Sequence, residues 1–593
     1  MISAPFFLRA ALRAGQLISR WSLTLQQKFV SLGFAAATTV CLAAGAVHAQ
    51  GIELPDESVI EAQLSQLNQN VPGTIFAMQP FRNAQSLTAE DGTTYTLTSL
   101  NPNVNSWFVL EIAPEGGRSS FAHFENGAPD VWDISLIDED GPALLIEGDG
   151  DNFACAPWDD GELQEAQSSD LPFAPICDWS LFVRNPVTGN RTTREAVAEF
   201  LRDNIVFGES IVNLIKGAFF EDAFMVSSEG EEEVEEIDGV ELLGTALLDS
   251  TPNMRPYMGF DLIGTDAGAM TAGSWYEVDG SPGIYASVMQ PAMIANEVFQ
   301  VSGANGLDGI ERSADVYLVA FDMARFEIGY ELGTDHPRLG WSSRPSNRHG
   351  QGSGPDGFNR PDPLVRTGMV NPAFVERVAA TFTGGFKRDH GAWRFGDYAT
   401  FNYGHHYGFM QNGVLISRLW PNLATLYLTL DGEVGMRTWR EEDDAMLSEL
   451  VFARQNGVPI IEDGVPGPRV TSWGGGNWSG DANAVLRTLR GGACMRTVEG
   501  RQFLIYAYFS SATPSAMART FQAYQCDYAM LLDMNSPEHT YMALYLHDEE
   551  GEDEMEWRHL VTNMGESDPD SGRVARFVQA PDNRDFFYLL RRQ

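Results

Sequence analysis

A chain of 593 residues is too long for one hydrophobic core and predicts at least two domains. Apolar residues make up 44% and charged residues 20%, which excludes a disordered or collagen-like chain. The formal net charge of −42 excludes nucleic acid and anionic membrane surfaces as general partners, because a field of that sign repels both.

Residues 1–49 read as a cleaved secretory signal: Arg9, Arg13, Arg20 and Lys28 precede the apolar run "FVSLGFAAATTVCLAAGA", and Val47 and Ala49 stand where signal peptidase needs small residues. Cleavage removes four of the 39 Lys and Arg and leaves 35 against 81 Asp and Glu. No later stretch is long and apolar enough to span a bilayer, so no stable membrane insertion is expected after cleavage. The expected location is therefore secreted or periplasmic. Export makes disulfides permissible for Cys155, Cys177, Cys494 and Cys526. Of the three connectivities, Cys155 to Cys177 with Cys494 to Cys526 is the simplest, and no pair has the close spacing of a zinc knuckle.

A β-rich N-terminal module is expected over 50–226. "TTYTLTSL", "SWFVLEIA", "VWDISLI" and "DWSLFVR" read as short strands between Gly, Pro, Asn and Asp turns. Two helices close it, at "TTREAVAEFLRDN" and near "ESIVNLIKGAFF". The acidic run "SSEGEEEVEEIDG" has almost no core-forming residues and marks a linker or exposed loop within 227–269. "EGDGDN", residues 147–152, reads as a turn, since it lacks the spaced acids and glycine of a calcium loop.

An α+β domain with a mixed sheet is expected over 270–593. It opens with strands in "GIYASVMQ", "DVYLVAFDM" and "RFEIGYELG". "NPAFVERVAA" is expected to be a helix capped by Asn371 with Pro372 in its first turn. "FLIYAYF" is a strand and "TPSAMARTFQAYQ" a helix capped by Thr513, with Met517, Phe521 and Tyr524 on its buried face. The strand "YAMLLDM" follows, which predicts a right-handed crossover between parallel strands and places Asp533 at a carboxyl end, where open α/β sheets hold ligands.

Two stretches carry candidate chemistry. In "TFTGGFKRDHGAWRFG" the glycines Gly384 and Gly385 permit positive φ or close approach. Lys387, Arg388, Asp389, His390 and Arg394 supply a local cationic cluster suited to an anionic group such as phosphate. In "MLLDMNSPEHT" the side chains of Asp533, Asn535, Glu538 and His539 follow a buried strand. They suit either a carboxylate-assisted reaction or a hard cation such as Ca²⁺. No cofactor is otherwise required. His405 and His406 fall on opposite faces if "YGHHYG" is a strand, with His406 the one assigned to the cleft, and Trp473 and Trp478 are candidates for stacking on sugars.

The order "AATFTGGF", "HHYGFMQNGVLI", "LYLTLDGEV", "VFARQNGVPIIEDG", "LRGGACMRTVEGRQFLIYAYF", "AYQCDYAMLLDMN" resembles the phosphodiester glycosidase family over roughly residues 310–545. Two motifs depart from it: Thr383-Gly384-Gly385-Phe386 stands where the family has Asn-Gly-Gly-Phe, and Asp533-Met534-Asn535-Ser536 where it has Asp-Gly-Gly and a small polar residue. The resemblance implies hydrolysis of a sugar-1-phosphodiester in a glycan or envelope polymer. Asp533 would be the carboxylate and Glu538 or His539 the proton donor or orienter. Arg490, with the cluster from Lys387 to Arg394, would hold phosphate, and Asn535 would bond sugar hydroxyls. The alternative, favoured by Thr383 and "DMN", is a catalytically degenerate glycan-binding protein of the cell envelope.

Overall fold

The computed structural model describes residues 73–148, 152–190, 238–266, 268–337, 358–386, 407–471, 486–546, 556–561, 564 and 575–592. The leader, the two helices expected after residue 190, most of the acidic run, the cluster from Lys387 to Arg394, His405, His406, Trp473 and Trp478 lie outside them. All the described residues belong to one compact unit, 47–593.

The described protein is mostly β, with few helices and several antiparallel sheets, where an α+β mixed sheet was expected. In the N-terminal region Asn83–Thr88, Thr94–Ser99, Trp107–Ala113, Ser120–Asn126, Leu181–Arg184 and Phe173–Ile176 form a six-stranded sheet in that order. A three-stranded sheet of Asp133–Asp138, Pro142–Glu147 and Asn152–Cys155 accompanies it. Inward residues such as Phe108, Leu110, Phe124, Leu136 and Leu144 share one core between them.

Beyond residue 270 an eight-stranded sheet runs Tyr276–Glu277, Ile284–Met289, Val316–Asp322, Arg501–Ala512, Thr488–Val498, Tyr528–Met534, Ile461–Glu462 and Val465–Pro466. Its strands are apolar on both faces because both are covered. Leu504, Tyr506 and Tyr508 enter the core shared with two five-stranded sheets, whereas Ile505, Ala507 and Phe509 face the helix Pro514–Ala523. One five-stranded sheet runs Phe326–Glu331, Phe586–Arg591, Val378–Thr383, Met542–Leu546 and Glu556–His559; the other runs Val414–Ser417, Phe409–Gln411, Leu450–Gln455, Ala424–Thr429 and Val434–Thr438.

Thr513 caps the helix through its hydroxyl, which accepts from the Ala516 amide at 3.3 Å, and Met517, Phe521 and Tyr524 are buried as their spacing predicts. Gly492 makes room for this helix: a Cβ there would lie 2.8 Å from Met517 and 3.0 Å from Phe521. The strands on either side of the helix do run parallel, but they are not neighbours. Thr488–Val498 lies between them and pairs antiparallel with both. A long hairpin closed at Glu499 and Gly500, both at positive φ, fills the slot first. The stretch expected as the helix "NPAFVERVAA" splits: Asn371 does cap, accepting from Ala373, but Pro372–Arg377 is a short 3₁₀ turn and Val378 begins a strand. Five consecutive buried residues from Val378 to Phe382 explain the switch, since a run buried on both faces suits a covered strand and not an amphipathic helix.

Both disulfides form as the simplest connectivity predicts, Cys155–Cys177 and Cys494–Cys526. Among the described residues no helix is long and apolar enough to cross a membrane.

Candidate active site

Asp533 is the penultimate residue of a strand buried along its whole length, and it is only 5% exposed itself. An ionised carboxylate there needs strong partners. The Arg584 guanidinium donates to Oδ2, and the Met534 amide donates to Oδ1 at 2.8 Å. The Nε2 of His336 lies 4.0 Å from Oδ2. Burial raises the Asp533 pKa above the usual carboxylate range, against the pull of Arg584 and His336.

His336 joins Asp533 to a second buried acid. Its Nδ1 lies 2.6 Å from Asp585 Oδ1, while Arg454 Nε donates to Asp585 Oδ2 at 2.7 Å and the Tyr330 hydroxyl donates to the same oxygen at 3.0 Å. Burial pushes the Asp585 carboxyl up, but Arg454 and His336 together hold it below its usual value. An ionised Asp585 only accepts, so Nδ1 carries the proton and Nε2 is presented to Asp533 and to Arg584 Nη1, 3.5 Å away. Two aspartates, two arginines and one histidine thus meet in a dry site of balanced charge.

The ends of several strands converge to build it. Tyr330 and Arg454 sit near the ends of Phe326–Glu331 and Leu450–Gln455, and Asp585 directly precedes Phe586–Arg591. The glycine turn closes over them. The Gly384 amide donates to the Asp585 carbonyl at 2.9 Å, and Asn456 Oδ1 accepts from the Phe386 amide at 3.0 Å. Arg454 Nη2 donates to the Phe386 carbonyl at 2.9 Å. Close approach, not positive φ, is what demands glycine: a Cβ on Gly384 would lie 2.5 Å from Asp585 Oδ2, and one on Gly385 2.7 Å from the Asn456 side chain.

The other expected residues mostly shape the backbone around Asp533. Thr383 donates from its hydroxyl to the His539 carbonyl at 2.6 Å. Asn535 has φ of 86°, so it takes the left-handed turn for which the family pattern offers glycine, and its amide donates to the Leu489 carbonyl at 2.8 Å. The Nδ1 of His539 lies 3.0 Å from the Met534 carbonyl, and the Glu538 carbonyl accepts from Arg576 at 2.7 Å. Arg490 is buried and donates to the Ala512 and Leu486 carbonyls, each at 2.8 Å, beside Met534. The hydrogen bonds on the Asp533 carboxylate come from Arg584 and Met534, not from Glu538 or His539. Among the described residues, the group of acids, histidines and cysteines close enough to share a metal is Cys155, Glu162 and Cys177, whose sulfurs are consumed in a disulfide.

His336, Arg454, Asn456, Arg584 and Asp585 were not singled out from sequence. Their signal is the one that drew attention to Asp533, a cluster of polar residues at a strand end: "TDHP" after "RFEIGYELG", "RQNG" after "LVFA", "DNRD" before "FFYLL".

No family model matches the chain, and no curated protein matches its sequence. Among solved structures it is similar to the catalytic domain of zebrafish N-acetylglucosamine-1-phosphodiester alpha-N-acetylglucosaminidase, auto-inhibited by its pro-peptide, with 11% identity and a TM-score of 0.27 over 53% of this chain and 85% of that one. It is also similar to a hypothetical protein from Synechocystis, with 10% identity and a TM-score of 0.25 over 86% of this chain and 99% of that one. Likenesses of this degree assign no activity.

Proposed function

We propose that this protein is a secreted or periplasmic hydrolase that cleaves a sugar-1-phosphodiester in a glycan or envelope polymer. The observation that carries the reading is the meeting of Asp533 with Arg584 and the His336–Asp585 pair at the strand end where the family-like motifs place their acid. In this reading the carboxylate of Asp533 assists attack at the sugar carbon, water supplies the new C–O bond, and the phosphomonoester leaves with the electron pair of the broken one. A carboxyl whose pKa is raised by burial is closer to neutrality, where an acid–base group works best. Arg584 supplies the positive charge that a phosphate requires, and His336 presents Nε2 beside it. Asn535 and the glycine turn shape the sugar side of the site.

The test is hydrolysis of a panel of sugar-1-phosphodiesters by the chain without residues 1–49, beside Asp533→Asn, with added Ca²⁺ and with chelator. Turnover reduced by about a hundredfold or more in Asp533→Asn supports the assignment. Equal turnover in both proteins sinks it. Glycan binding without turnover on any member of the panel gives the place to the glycan-binding reading.

A further inference from the structure

A second buried charge network lies between the N-terminal sheet and the strands that build the site. Arg184, the last residue of Leu181–Arg184, is 2% exposed and carries an unusually full set of partners. Its Nη1 donates to Glu125 Oε2, its Nη2 donates to Glu331 Oε1 at 2.6 Å and Thr367 Oγ1 at 3.2 Å, and its Nε donates to the Val365 carbonyl at 3.1 Å. The guanidinium lies 4.8 Å from the Trp107 ring centroid and 5.0 Å from that of Phe173. Glu125 also accepts from Trp107 Nε1 at 2.9 Å and Asn371 Nδ2 at 2.8 Å, and Glu331 from Gln411 Nε2 at 2.6 Å. One guanidinium therefore holds both carboxyl groups at the same junction, out of water.

Glu331 is one residue past Tyr330 on the same strand, so the two side chains leave opposite faces: Glu331 toward Arg184, Tyr330 toward Asp585. The chain then turns back within five residues to His336. Gln411, which holds the Glu331 carboxylate, also accepts from the Leu332 amide at 3.1 Å, and the Gly333 amide donates to the His336 carbonyl at 3.0 Å. This turn lies against the segment that carries Arg584 and Asp585. Thr334 donates to the Asp582 carbonyl at 3.0 Å, and a Cβ on Gly333 would lie 2.3 Å from the Asn583 carbonyl oxygen.

The exit from the N-terminal sheet reaches both pieces. The Gly189 amide donates to Thr334 Oγ1 at 3.1 Å, the Asn190 amide donates to the Pro581 carbonyl at 3.0 Å, and a Cβ on Gly189 would lie 2.3 Å from the Asp582 carbonyl carbon. Turn 332–336 and segment 581–585 are thus gripped from one side by residues 184–190.

We infer that the N-terminal sheet is the buttress that sets His336 against Asp533 and Asp585, with Arg184 the positioning residue through which it acts. Arg184 touches none of the site groups itself. Removing it takes away the guanidinium that ties Glu331 to Glu125 and to the Val365 carbonyl, so the end of Phe326–Glu331, with its turn to His336, loses its anchor to the N-terminal sheet.

The inference concerns the site described above, but its readout does not depend on the reaction proposed for it. Hydrogen exchange on the full chain, followed by mass spectrometry, is compared for the unaltered protein, Arg184→Met, Arg184→Lys and Arg437→Met. The last is a control that removes a partly exposed ion pair with Asp443. Peptides covering 330–336 and 581–586 should exchange roughly tenfold faster in Arg184→Met, while the peptide of the helix Pro514–Ala523 and the Arg437→Met protein stay at the unaltered rate. His336, 1% exposed, should also become open to carbethoxylation by diethyl pyrocarbonate. Arg184→Lys keeps the charge but not the planar fork, so it should shift the same peptides less, and it carries the test if Arg184→Met does not fold. Unchanged exchange at 330–336 and 581–586, or an equal rise in all peptides, overturns the inference. If the proposed hydrolysis is established, the variants should lose kcat with KM nearly unchanged.

Discussion

Asp533 and Asp585 are both buried aspartates, yet their carboxyls are driven in opposite directions. Asp585 has Arg454, Tyr330 and His336 on it and is held low; Asp533 has Arg584 and a backbone amide, and burial prevails. A pair of acids pushed apart in this way is the usual basis for dividing roles, one to act and one to orient. The crowding at Asp585 makes Gly384 the most sensitive small residue nearby. Gly384→Ala would set a Cβ 2.5 Å from the Asp585 oxygen that Arg454 and Tyr330 already fix, so it should cost about 1–3 kcal/mol in urea unfolding. A change within error would show that the turn can shift away.

At the scale of elements, the helix Pro514–Ala523 is held at its start by two interlocking contacts. The Thr513 hydroxyl caps it, and the Thr513 amide donates at 2.7 Å to Glu311, whose other oxygen accepts from the Asp308 amide in the capping box of the helix Gly309–Ser313. Thr513→Ala should therefore destabilise by about 1 kcal/mol, since it removes the hydroxyl but leaves the amide bond to Glu311. A loss well above this in chemical denaturation would mean that the two helix starts are coupled through the cap.

At the scale of the whole molecule, the junction around Glu331 gives a distinct pH response. Arg184, Glu125 and Tyr588 surround it, and His123 lies close by, kept neutral well below its usual range by burial and by Arg184. Burial pushes Glu331 up to about 7, against Arg184. The folded state then holds a proton that the unfolded state releases, so this contribution to stability is full below the ordinary glutamate range and is lost as pH rises through about 7. Thermal midpoints measured from acid to alkaline pH should fall across that window by the equivalent of a few kcal/mol at most, and Glu331→Gln should flatten that part of the profile. A parallel fall in the variant would place the titrating group elsewhere.

Some elements were legible in the sequence because they rest on local chemistry, whereas "NPAFVERVAA" misled, its Asn371 cap opening only a short 3₁₀ turn before a buried strand. A continuous apolar run marked the strand "FLIYAYF", and Thr513 and Pro514 marked the helix start. The four cysteines fell into two near pairs. Tertiary structure alone decided which strand lies beside which. Period-two patterning tells a strand's buried faces but not its neighbour, so Thr488–Val498 enters between two strands that sequence order would place together. The same limit hid the site. His336 and Asp585 are 249 residues apart and meet only because Phe326–Glu331 pairs with Phe586–Arg591, and no local pattern records that pairing.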